Sequence, residues 1–220
     1  MREPTAGLPY GSPAYWDARY AGQAADDACD EWYGGAALEA VLGVARALCL
    51  RPGTPALEIG CGGSRLAERL AAEMQLAVTA TDISPAAVGR CRRREGAAAA
   101  VTWEVADAAA LPFPPASFSL VLDKGVCDAL DCDDGADGTP TAAAALAEAA
   151  RVLMPGGALI LASCREPADR APLLAGRFVT AGVLEVWAAV EAGRARAPCP
   201  EAYVYTLVPV SGAGALPGSV

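Results

Sequence analysis

Residues 55–64 read PALEIGCGGS. Proline and small or branched apolar residues run to Ile59, and three glycines then fall within four positions. This predicts a short buried strand at 55–60, a glycine-rich turn, and a helix over about 64–73. Glycines at a strand exit let the backbone approach a ligand closely and turn directly into a helix. The pattern repeats downstream. LAVTATD (76–82) is a second strand that ends on an acid. Ser84-Pro85 opens a helix to about residue 95, with Ser84 as N-cap and Pro85 in the first helical position. Residues 100–105 make a third strand and 118–123 a fourth. A helix spans about 140–153, opened by Thr139-Pro140 and closed by Pro155-Gly156-Gly157. A fifth strand covers 158–164, and 184–190 and 202–210 are two last strands, expected to be antiparallel neighbours. A largely apolar helix at 36–50 precedes the series.

Strands alternating with helices at this spacing define an α/β fold: a doubly wound, mostly parallel, seven-stranded Rossmann-like sheet with helices on both faces. Residues 36–210 form this domain. Residues 1–35, with Trp16, Tyr20, Trp32 and Tyr33 set among acids, form an N-terminal covering segment. Residues 211–220 form a small, flexible tail.

The chain has 220 residues, 54% hydrophobic and 20% charged, enough apolar material for one sizeable core. No apolar run is long enough to cross a bilayer, and the first residues lack the apolar stretch of a signal peptide. A cytoplasmic protein with no membrane partner is expected, with a monomer favoured. The net charge of −9 and pI of about 4.5 disfavour nucleic acid as a partner. One basic run, Arg90, Arg92, Arg93 and Arg94, reads as a solvated helix face, or alternatively as a docking point for an acidic partner. Eight scattered cysteines form no C-x-x-C pair and read as free thiols. Histidine is absent, which excludes Ser-His-Asp and Cys-His hydrolases and any His-dependent zinc site, and no metal is expected.

In open α/β sheets, ligands bind beyond the C-terminal strand ends, where the strand order reverses. The first strand ends on Gly60-Cys61-Gly62. The second ends on Asp82, 22 residues after Gly60, a spacing at which a carboxylate can accept both ribose hydroxyls of an adenosine. Asp107, after the third strand, suits the exocyclic amine of adenine, or else caps a turn. Arg65 stands where a dinucleotide fingerprint has its third glycine, and a Walker A pattern is absent, so nothing here cradles a pyrophosphate. Adenosine without phosphates points to S-adenosyl-L-methionine, with S-adenosyl-L-homocysteine as product.

Four segments together resemble the class I methyltransferases that use this cofactor: E-I-G-C-G at 58–62, T-D-I-S at 81–84, A-D-A with LPFPPASF at 106–118, and E-A-A-R-V-L-M-P-G-G at 148–157. YWDARY (15–20), EWYG (31–34) and DKGVCDAL (123–130) are similar to a subgroup of protein lysine methyltransferases acting on translation elongation factor 1-alpha. The resemblance implies cofactor contacts from Trp16, Tyr20, Trp32, Gly60, Asp82, Ile83, Asp107, Ala108 and Lys124. Gly62 and the strand acid Glu58 are added to that set. The aromatic residues could equally be core anchors, and Glu58 an acid satisfied by backbone amides. The chain departs from the subgroup at Gly63, where relatives carry Asn, and at Val126, where they carry Thr.

The activity so implied is methyl transfer to a lysine of a protein substrate. The alternatives are a small-molecule acceptor, which shares the whole cofactor half, and a non-catalytic binding module. Lys124 is expected to meet the cofactor through its backbone or stem, because a sulfonium gains nothing from an ammonium. Asp123 and Asp128 are the candidate catalytic groups, orienting the incoming amine. Asp128 reads equally as a helix cap.

Overall fold

In the computed structural model, residues 10–22, 31–95, 100–132, 141–187 and 200–210 are described. Pro13 starts the first helix, α1 (Pro13–Ala21), and α2 (Gly34–Ala47) follows. The chain then alternates through β1 (Pro55–Ile59), α3 (Leu66–Met74), β2 (Ala77–Asp82), α4 (Pro85–Glu95), β3 (Val101–Val105) and β4 (Phe118–Lys124). The remainder is α5 (Val126–Leu130), α6 (Ala142–Val152), β5 (Leu153–Ser163), α7 (Pro167–Leu174), β6 (Phe178–Val186) and β7 (Ala202–Pro209).

The seven strands form one sheet in the order β3-β2-β1-β4-β5-β7-β6. β1 through β5 are parallel, while β7 is antiparallel to both β5 and β6. The chain winds outward from β1 to β3 and then returns to the other side of β1. The order therefore reverses between β1 and β4, and the exits of those strands flank the crevice.

Side chains alternate across the sheet with period two. Ala56, Leu120, Leu122, Ile160 and Ala162 pack with α2, α3 and α4 on one face. Leu57, Ile59, Val121, Leu159 and Leu161 pack with α6 and α7 on the other. Two covered faces explain why β1, β4 and β5 read as continuous apolar runs instead of alternating ones. Ser84 caps α4 as expected, its Oγ accepting from Ala87 N at 3.1 Å.

Several boundaries differ from expectation. The helix at 36–50 runs from Gly34 to Ala47. β5 begins at Leu153, directly after α6, and Met154–Gly157 bulges between the pairs Phe118↔Leu153 and Leu120↔Ala158, so the Pro-Gly-Gly run lies inside the strand. α6 is capped by Thr141; Thr139 and Pro140 lie outside the described residues, as do the tail at 211–220 and the end of the 184–190 segment. β6 starts six residues earlier than expected, at Phe178. Its interior residues are all exposed, so no apolar alternation announces it. The short helices α5 and α7 were not foreseen: α5 is five residues long, and α7 contains Pro172.

Candidate active site

The cleft lies at the C-terminal ends of β1, β2 and β4. Gly60 and Gly62 turn the chain out of β1 with φ of +66° and +49°, a backbone region that favours glycine. At Gly62 a Cβ would stand 2.6 Å from the Tyr20 hydroxyl, so the turn and the aromatic wall share this space. The turn is pinned by Cys61 N donating to Thr81 O at 2.8 Å.

Asp82 sits at the exit of β2 and is 7% exposed. Its Oδ2 accepts from Gly62 N at 2.8 Å and its Oδ1 from Ser84 N at 2.9 Å. Burial raises its pKa, while those amides pull it back down. Each oxygen keeps a second lone pair, and the residue lines the cleft, so the carboxylate is fixed in place with acceptor capacity left over. Asp107, in the loop after β3, also lines the cleft; its Oδ1 accepts from Ala109 N at 2.8 Å. Two α6 residues hold that loop from behind. Glu148 accepts from Leu111 N at 2.9 Å, and Arg151 donates to Phe113 O at 2.7 Å and Leu111 O at 3.0 Å. This is the physical use of the E-A-A-R segment. Ile83 and Ala108 complete the same wall.

The N-terminal segment supplies the opposite wall. Trp16, Tyr20 and Trp32 all line the cleft, joined by Tyr10, Gly11 and Pro13, which the sequence reading missed. Trp16 stacks on Tyr20 with ring centroids 6.1 Å apart and meets Trp32 edge-on at 5.8 Å. Its Nε1 donates to Tyr10 O at 2.6 Å. Trp32 lies against Gly125, where φ is +97° and a Cβ would come within 2.7 Å of the indole. Val126, Ala129 and Leu130 of α5 form an apolar floor.

Three acids behave differently from expectation. Asp123 does not face the cleft: it is 4% exposed, and its two oxygens accept from Val126 N at 2.8 Å and Cys127 N at 3.1 Å, capping α5. Burial pushes its pKa up to about 6. Asp128 is 8% exposed and points away from the cleft into a polar cluster. It accepts from Ser163 Oγ and Cys164 N, both at 2.6 Å, and also from the Tyr33 hydroxyl and Arg170 Nη2. Both carboxylates lie off the cleft wall and are engaged in internal bonds, which corrects the expectation that they orient substrate. Glu58 lies under the glycine turn, 1% exposed and not on the cleft wall. Its Oε2 accepts from Ala67 N at 3.1 Å, and its Oε1 has no hydrogen-bond partner among the described residues. Desolvation pushes it up to about 8 despite the nearby Lys124.

The basic run is a solvated face only in part: Arg92 and Arg93 are exposed, while Arg90 and Arg94 turn inward. Arg90 is fully buried, and Arg92 donates to Trp103 O. Arg94 reaches Glu68 at 2.7 Å, Gly63 O at 2.9 Å and Ser64 O at 2.6 Å, bracing the glycine turn from behind.

A doubly wound sheet with acids at the exits of its second and third strands, a glycine turn after the first and an aromatic wall across the gap is the arrangement that the resemblance to class I S-adenosyl-L-methionine-dependent methyltransferases implies. The cleft fits that cofactor: Asp82 and Asp107 each offer a carboxylate at its wall, the turn admits close backbone approach, and Lys124 is the one cation among the described residues that line it. Residues 57–161, just under half of the chain, match the methyltransferase domain family. A mouse protein named EEF1A lysine methyltransferase 4 is 35% identical over 164 residues, 71% of this chain and 62% of the mouse protein. The match thus spans less than two thirds of that relative. The 27-O-demethylrifamycin SV methyltransferase of Amycolatopsis mediterranei is 38% identical over 117 residues, 52% of this chain and 40% of that enzyme. Among solved structures, the N-methyltransferase NodS of Bradyrhizobium japonicum, in complex with S-adenosyl-L-homocysteine, superposes with a TM-score of 0.66 at 17% identity, covering 96% of this chain and all of that one.

Proposed function

We propose that the protein transfers a methyl group from S-adenosyl-L-methionine to a lysine side chain of a protein substrate, with an elongation factor 1A as the first substrate to try. The observation that carries this reading is the 35% identity over 164 residues to a protein named for that activity. The cofactor supplies an electrophilic methyl group, and the chain supplies position. Asp82, Asp107 and the turn at Gly60–Gly62 hold the nucleoside, and Trp16, Tyr20 and Trp32 exclude water from the other side. A lysine must arrive as the neutral amine, although its reference pKa is about 10.4. The aromatic wall favours loss of the proton by desolvation. With no histidine in the chain, and Asp123 and Asp128 bonded internally, the proton leaves to solvent. A cytosolic setting is part of the proposal: the described cysteines 49, 61, 91, 127, 132 and 164 are free thiols, which suits a reducing compartment.

Incubation with labelled cofactor and a cell extract, followed by mass spectrometry, tests the reading. The expected result is label on a lysine of an elongation factor 1A-like protein. Label confined to small molecules would remove the lysine reading. It would favour a small-molecule acceptor instead, a second reading that rests on the similarity to the rifamycin methyltransferase.

A further inference from the structure

We propose that Glu31 is a specificity-determining residue: by neutralising Lys124 at the cleft wall, it sets how the protein ranks the sulfonium cofactor against its uncharged thioether product. The inference rests on the cofactor reading above.

Cofactor and product differ by one methyl group and one positive charge at sulfur. Any fixed charge beside the cleft therefore acts on their ratio, while contacts to the shared nucleoside act on both alike. Lys124 is the one cation among the described residues that line the cleft. Its side chain is 5% exposed, so solvent screens it poorly. Unpaired, it would repel the sulfonium and leave the thioether untouched.

The structure pairs it. Lys124 Nζ stands 3.1 Å from Oε2 of Glu31, whose side chain is 11% exposed. Glu31 is itself fastened to the glycine turn: its Oε1 accepts from Arg65 N at 2.9 Å, and its two oxygens accept from Ser64 Oγ at 3.1 and 3.0 Å. It immediately precedes Trp32, so the neutralising anion arrives on the same segment that builds the aromatic wall. Neither nearby aspartate can take its place, since Asp123 caps α5 and Asp128 is paired with Arg170.

The test is calorimetric titration of the full chain with S-adenosyl-L-methionine and, separately, S-adenosyl-L-homocysteine. Glu31→Gln keeps an oxygen for Arg65 N and Ser64 but removes the charge. The ratio of the cofactor's Kd to the product's should rise about tenfold, because the charge removed stands in a site that solvent screens poorly. Lys124→Met should move the ratio in the opposite direction, and the double variant should return it close to wild type. The titrations are repeated in a Glu58→Gln background, so that ionisation of that buried acid cannot replace the lost charge. If Glu31→Gln does not fold, the direction of the Lys124→Met shift decides alone. Equal weakening of both ligands, or ratios unchanged within about twofold in these variants, overturns the inference. Absence of binding of either ligand to the wild-type chain overturns the cofactor reading, and this inference with it.

Discussion

At the exit of β2, Asp82 is held by two backbone amides and lines the cleft; at the exit of β4, Asp123 and Asp128 occupy equivalent ground and face away from it. Both exits look alike along the chain, an apolar run ending on an acid. What separates them is the company within reach. Around Asp82 the partners are neutral N–H groups of the turn itself, which orient the carboxylate and leave lone pairs over. Around Asp128 a full counter-charge arrives from α7: Arg170, 2% exposed at its side chain, also donates to Asp131 at 2.7 Å. Amide partners alone do not mark a ligand acid: Asp123, like Asp82, is held by two backbone amides, yet it lies off the cleft wall and caps α5, whereas Asp128 is claimed by a buried guanidinium.

The contrast breaks most visibly at Arg170. Removing one partner of a buried charge pair leaves the other uncompensated, so Arg170→Ala should cost about 3–5 kcal/mol in urea unfolding. The molecules that remain folded should bind cofactor with nearly unchanged affinity. A large loss of affinity with little loss of stability would put the β4 acids back in the ligand site.

A smaller effect sharpens the comparison at Glu58, a strand acid with neither a guanidinium nor a full set of amides. Folded, its carboxyl keeps its proton up to about 8; in the unfolded chain it titrates near 4.5. Between those values the folded state binds more protons, so this group's contribution to stability declines as pH rises from 4.5 towards 8. Glu58→Gln should be close to neutral near pH 5 and stabilising by a few kcal/mol, at most about 4, at pH 8.5 in the ligand-free protein, as measured by urea unfolding at both values. An advantage that is the same at both pH values would show that Glu58 does not carry this proton.

Much of this was legible in the sequence, for identifiable reasons. β1, β4 and β5 are buried on both faces, so each announces itself as an apolar run, and the glycine turn and Asp82 follow at regular spacing. β6 is exposed along its interior, and α5 and α7 are too short or too proline-interrupted to show a period. The pairs that settle the site are invisible for a different reason. Arg170 meets Asp128 across 42 residues, and Glu31 meets Lys124 across most of the N-terminal half. Neither pairing leaves a local signature. Arg94 shows the same limit: its place in a basic run says surface, while its side chain turns inward to brace Gly63 and Ser64.

The central claim is that the β2 exit holds the cofactor and the β4 acids hold the fold. Titration of S-adenosyl-L-homocysteine into three proteins tests it most directly: wild type, Asp82→Ala and Asp128→Asn. The account predicts measurable binding by wild type, a loss of about 100-fold (about 2.7 kcal/mol) for Asp82→Ala, and a change of no more than about threefold for folded Asp128→Asn. Retained affinity in Asp82→Ala alongside its loss in Asp128→Asn would contradict it.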